Sequence, residues 1–290
     1  MQTERSETRA NALRDRRRPW LLRLVVVFVG AVVVWRLVDL GVSAVIAPGY
    51  TRPGHVARAV ATTALTALLI ALLLRWEGRH LADYGIRLPS ASRDLGLGAL
   101  GYLVPCVLAS VVVLSTSLAR LDLAVSAGEL VLQVLSVLVL VLLFEAIPEE
   151  LVFRGYLYGT LRERLPSWLC VLAKAVGFCV WGALIGAGAS LDRQVLFFVF
   201  AVGLGLVREA TGSVLVTVGF HAAFQTVSQL LLGGNWGAVE LTDPQRWFSD
   251  VAVAAPLLLG PLLLVIVARR RPSAPDPTLS ASASGEHVDG

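Results

Sequence analysis

The stretch "FEAIPEELVFRGYL", residues 144–157, sets three carboxylates (Glu145, Glu149 and Glu150) and one guanidinium (Arg154) in one of the most apolar parts of the chain. On a helix, Glu145 and Glu149 share a face, and Glu150 precedes Arg154 by one turn, the order that favours an ion pair. Pro148 has no amide hydrogen, so it removes the bond to the Phe144 carbonyl and predicts a kink just before the two adjacent acids. Two chemically different carboxylates would result. Glu150 is held ionised by Arg154, whereas Glu149 has less compensation and suits a general base that takes a proton from water. The same acids and arginine also fit a plain interfacial cap at a helix end. A second stretch, "GSVLVTVGFHAAFQTVSQLL", residues 212–231, favours a site, because it puts His221 and Gln225 on one face of a later apolar helix.

The surrounding composition determines what must hold these groups. The 290 residues are 56% hydrophobic and 16% charged, with mean hydropathy +0.72. Ordinary globular domains are roughly 25% charged. An all-α, polytopic transmembrane helix bundle of about eight spans follows, because about 20 apolar residues cross the hydrocarbon layer. The expected spans are Leu21–Ile46, Ala57–Leu74, Leu95–Leu118, Leu130–Phe144, Trp168–Ala187, Val195–Val207, Ser213–Leu232 and Val251–Val267. The first is too long for a cleaved signal core and is expected to stay as an anchor. A charge at mid-membrane costs at least ~2.5 kcal/mol, so charges kept there are paired, turned inward or functional.

Arginine orients the bundle. "RDRRRPW" precedes the first span, Arg75, Arg79, Arg87 and Arg93 follow the second, Arg162 and Arg164 follow the fourth, and "ARRRP" ends the last. The positive-inside rule then places both termini in the cytoplasm. Three regions result: a basic cytoplasmic tail (1–19), a transmembrane domain (20–268) and a Pro/Ser/Ala-rich tail (269–290) expected to be disordered. The net charge of +4 is explained by arginines beside anionic lipid, so the partner expected is the bilayer of the cell (plasma) membrane, with no nucleic acid. Cys106, Cys170 and Cys179 lack CxxC spacing and read as small buried side chains. Lys174, the only lysine, is expected to snorkel to an interface.

"EELVFRG", residues 149–155, resembles the EExxxR signature of the CPBP family, the CAAX protease and bacteriocin-processing group of intramembrane proteases. "GLVREATGSVLVTVGFHAAFQ", from Gly205, is similar to that family's segment ending in HxxxN or HxxxD. The resemblance covers a core at about 130–232. It implies a peptidase acting on a membrane-embedded peptide or protein substrate, in which Glu149 activates water, Glu150 and Arg154 complete the motif, and His221 and Gln225 stand on the oxyanion side. The family is commonly labelled metalloprotease. A divalent metal such as zinc, if present, would then use Glu149 and His221; a metal-free, glutamate-activated water is the competing account.

Two departures matter. The family's middle motif, an aromatic followed four positions later by histidine, superposes on Trp181 and Ile185, or on Phe178 and Gly182, and neither pair supplies the histidine. Gln225 stands where the family has asparagine or aspartate. His55, His80 and His287 fall in expected connections or the tail, so a two-histidine zinc site would need a loop histidine to reach inward. Two functions follow: an intramembrane endopeptidase, or a catalytically impaired pseudoprotease that binds a membrane partner or peptide.

Overall fold

A computed structural model describes residues 19–46 and 48–270; both tails named above fall largely outside the described residues. The chain is an all-α polytopic bundle. Its long helices are α1 (Trp20–Val45), α2 (Arg52–Glu77), α3 (Ala91–Ser115), α4 (Ala127–Arg162), α5 (Ser167–Ile185), α6 (Leu191–Thr211), α7 (Val214–Leu231) and α8 (Phe248–Arg269). All eight are long and apolar enough to cross a membrane. Their outer faces carry exposed Leu108, Val111, Leu132 and Leu258, as expected for a protein whose solvent is hydrocarbon.

The expected spans are recovered with shifted ends. The second starts at Arg52 rather than Ala57, because the Thr51 hydroxyl accepts the Gly54 amide at 3.1 Å and Pro53 fits the first turn. The fourth is longer than expected and passes through Pro148 as one 36-residue helix. Two wide, π-helical stretches, Leu142–Ala146 and Leu151–Leu157, flank the proline. The Ile147 amide reaches back five residues to the Leu142 carbonyl, and the Thr63 hydroxyl of α2 donates to the Leu143 carbonyl. The backbone therefore absorbs the missing amide through a widened turn, a feature that recurs at functional sites.

α7 is the most buried of the eight helices. It packs on α3 backbone to backbone: a β-carbon at Gly219 would overlap the Leu95 carbonyl, and one at Gly98 would overlap the Val216 carbonyl. Small residues that allow such approach are how membrane helices associate without a hydrophobic drive between them. This contact fixes the helix that carries His221.

Polar structures close the two ends. At one end, Arg23 of α1 pairs with Glu77 of α2 and with Glu163, the residue that follows α4, each at 2.8 Å, and donates to the Tyr84 hydroxyl at 3.0 Å; Tyr156 of α4 adds its hydroxyl to Glu77. Arg23 is 3% exposed, so α1 is clamped to the helix bearing the diacid. At the other end, the antiparallel ribbon of β1 (Arg120–Leu123) and β2 (Val239–Thr242) pairs Arg120 with Thr242 and Leu123 with Val239.

Lys174 corrects the sequence expectation. It is fully buried, and its ammonium donates to the Ala201 carbonyl of α6 at 3.0 Å instead of snorkelling. A backbone carbonyl inside the bundle is nearer than any interface, and the small Gly205 makes room for the amine.

Candidate functional site

The middle of α4 supplies the acids and α7 supplies the imidazole. Glu150 and Arg154 are both fully buried and pair at 3.0 Å, as their spacing implied. His221, 2% exposed, places Nδ1 at 3.0 Å from the same Glu150 oxygen. An ionised carboxylate only accepts, so Nδ1 carries the proton and donates, leaving Nε2 as the edge without a hydrogen bond among the described residues.

Aromatic rings enclose this trio. The Arg154 guanidinium lies 4.9 Å from the centre of the Phe178 ring and 5.4 Å from that of Phe200, and the Phe200 ring stands edge-on to His221 at 4.7 Å. Such contacts favour a cation in a dry setting. Arg208 donates from Nε to the Arg154 carbonyl at 3.1 Å and from Nη2 to the Tyr84 carbonyl at 3.0 Å, so a second buried arginine fixes the backbone beneath the first.

Glu149 differs from its neighbour. It is 8% exposed, and its carboxylate makes no hydrogen bond or ion pair among the described residues. One turn earlier, Glu145 accepts the Gln225 amide and, at 2.8 Å, the Gln229 amide. Among the described residues its oxygens thus contact neutral donors only. Gln225 therefore faces Glu145 with its nitrogen, and its carbonyl oxygen is the end left over. Glu145 also lines a cavity of about 520 Å³ near the α1–α2 connection.

The structure joins Glu150, Arg154 and His221 in one contact set and attaches Gln225 to Glu145 instead. His55 departs from the sequence reading. It lies in α2, not in a connection, is 6% exposed, and packs edge-on to Phe144 at 5.6 Å, lining the same cavity as Glu145. The Thr51–Arg52–Pro53 start signal was the clue to its helical position. Phe200 and Arg208 had no sequence signal, since an aromatic and an arginine in apolar helices gain meaning only from what they touch.

Both registers of the middle motif end without a polar group. Phe178 is the aromatic that reaches Arg154, and four residues on, the space beside Gly182 is filled by the Phe197 ring. Trp181 packs on Trp35 and Phe153, and Ile185 packs against the apolar core.

Catalytic zinc takes three protein ligands and an open position. Among the described residues no three His, Cys, Asp or Glu side chains converge, so the donor set does not match such a site.

No curated protein matches the chain. The resemblance drawn from the two motifs is borne out by a family whose members are CAAX-type intramembrane proteases: residues 131–227, which carry the diacid, Arg154, His221 and Gln225, match the family model described as Rce1-like, type II CAAX prenyl endopeptidase.

Proposed function

We propose that the protein is an intramembrane endopeptidase in which Glu149 activates water for attack on a peptide bond in or near the bilayer. The observation that carries this reading is the contrast between adjacent acids: one Glu150 oxygen is met by Arg154 and His221, while Glu149 has no hydrogen bond or ion pair among the described residues. A base must have a free lone pair where the substrate's water arrives. The water oxygen bonds to the carbonyl carbon as Glu149 takes its proton, and the carbonyl oxygen becomes an oxyanion. His221, protonated on both nitrogens and steadied by Glu150, donates from Nε2 to that oxyanion. The carbon–nitrogen bond then breaks as Glu149 returns the proton to the leaving amine.

The arginine-rich connections support placing the Arg23 end of the bundle at the cytoplasmic face of the cell (plasma) membrane. No step is routed through a metal, because no three His, Cys, Asp or Glu side chains converge among the described residues. Purified protein in nanodiscs, assayed against membrane-embedded peptides, tests the assignment. Turnover is expected in wild type and lost in Glu149→Gln; turnover undiminished in that variant removes Glu149 as the base.

The second reading, a pseudoprotease that binds a membrane peptide without cutting it, is favoured by the apolar groups at Gly182 and Ile185. It predicts no wild-type turnover and a gain of activity in Ile185→His, or in Gly182→His combined with Phe197→Ala. Wild-type cleavage removes it.

A further inference from the structure

We propose that the cavity beside Glu145 binds a basic side chain of the polypeptide substrate, with the Glu145 carboxylate as its counter-charge. This names a substrate class for the site proposed above and rests on that reading only for the fate of the peptide. The cavity, about 520 Å³, falls in the roughly 300–1,000 Å³ range of ligand pockets and is lined by Tyr50, His55, Phe144, Glu145, Asn235 and Trp236.

Its charges sort simply. Asp39 and Arg58, also on the wall, cancel each other at 3.0 Å, and Ser43 takes a second Arg58 nitrogen at 2.9 Å. Glu145 remains, and both of its oxygens accept from neutral amides. A half-buried anion with no cation in contact among the described residues is costly, and a lysine or arginine side chain entering the cavity would supply one. The walls suit the same guest. Tyr50 and Phe144 flank His55 edge-on at 5.5 and 5.6 Å, and aromatic surface favours the stem and head of a basic side chain.

A second observation points to a bound group. Trp236 is 7% exposed and lines the cavity, yet its indole N–H has no acceptor among the described residues. Its ring face already takes the Arg52 guanidinium at 5.2 Å, so the free N–H needs an acceptor rather than another cation. A peptide brings both functions: a basic side chain for Glu145 and a backbone carbonyl for Trp236. Glu145 lies one turn of α4 before Glu149, so a residue held here would sit on the same helix face as the base.

The test measures binding without cleavage. Glu149→Gln protein in phosphatidylcholine nanodiscs is titrated with two acetylated, amidated apolar octapeptides, alike except for one central lysine or norleucine. The lysine peptide is expected to bind about tenfold more tightly, the usual worth of a charge-assisted hydrogen bond. Adding Glu145→Gln should erase the difference, and Trp236→Phe should weaken both peptides alike. As a measurement that needs no variant at Glu145, n-butylammonium should displace the lysine peptide and n-butanol should not. Equal binding of the two peptides, a lysine preference that survives Glu145→Gln, or equal displacement by the alcohol overturns the assignment. Lysine preference without wild-type turnover would overturn the protease reading and leave this one standing.

Discussion

Glu150 and Glu145 lie five residues apart on one helix, and their surroundings are opposites. Glu150 sits in a dry pocket of Phe178, Phe200 and α7, where a full positive charge and an imidazole meet one of its oxygens. Glu145 faces a cavity and is held by two glutamine amides. The first region pairs its opposite charges within the protein, although Glu150 Oε2 has no hydrogen bond among the described residues, and the second leaves its charge open to a guest. Glu149 lies between them in sequence and in character: buried like Glu150, but without a hydrogen-bond or ion-pair partner among the described residues. A charge locked by an ion pair builds structure, and one met only by neutral donors keeps capacity to bind.

The largest test breaks the frame both regions share. Gly219→Val would drive a side chain into the Leu95 carbonyl, and backbone cannot yield as a flexible side chain does. Loss of monodisperse protein in detergent is the expected outcome; a well-folded Gly219→Val would show that the α3–α7 contact is not what holds His221.

Next, Arg154→Met should cost ~3–5 kcal/mol, because it strands Glu150 as an uncompensated buried charge. Glu145→Gln should cost far less, since no cation is lost. Thermal unfolding in detergent compares the two, and equal losses would erase the distinction between the regions.

Glu149→Gln sharpens the comparison from the functional side. Turnover should fall by about 10²-fold or more, as for loss of a general base, while the unfolding temperature stays at the wild-type value because no ion pair is broken.

The smallest effect lies outside the membrane-spanning part. The Asp243 carboxylate accepts the Phe248 amide at 3.1 Å and the Ser249 amide at 2.8 Å, capping α8. Burial acts to raise its pKa, but these bonds outweigh it and hold the group below the usual carboxylate value. A folded-state pKa below the unfolded one means the cap's contribution is present above about pH 4 and is lost as pH falls through the lower, folded value. Asp243→Asn should therefore cost little, at the low end of the ~0.5–2 kcal/mol typical of caps because the group is solvent-screened, and the difference from wild type should vanish in acid. Unfolding followed at neutral and acidic pH checks this.

Much of the acid half was legible because helix periodicity alone puts Glu150 against Arg154. His55 was not. It stands two residues before the expected span at Ala57 and resembles a loop residue until Thr51 and Pro53 start the helix early enough to bury it. Lys174 misled for a related reason: snorkelling is the rule for a lone lysine near a helix end, and the Ala201 carbonyl that overrides it belongs to another helix. The kink predicted at Pro148 became two wide turns: the Ile147 amide shifts back to the Leu142 carbonyl, and the Leu143 carbonyl it leaves is taken by Thr63, a partner on another helix that spacing within α4 does not show.

The sequence by itself determined the membrane bundle, the ion pair of the diacid motif and the family resemblance, all of which rest on composition and on spacing within one helix. Only the tertiary structure decided which acid is locked, which is free and which faces a cavity. Those outcomes depend on partners brought from α2, α5, α6 and α7, and burial converts small differences in partner into large differences in the energy of a charge.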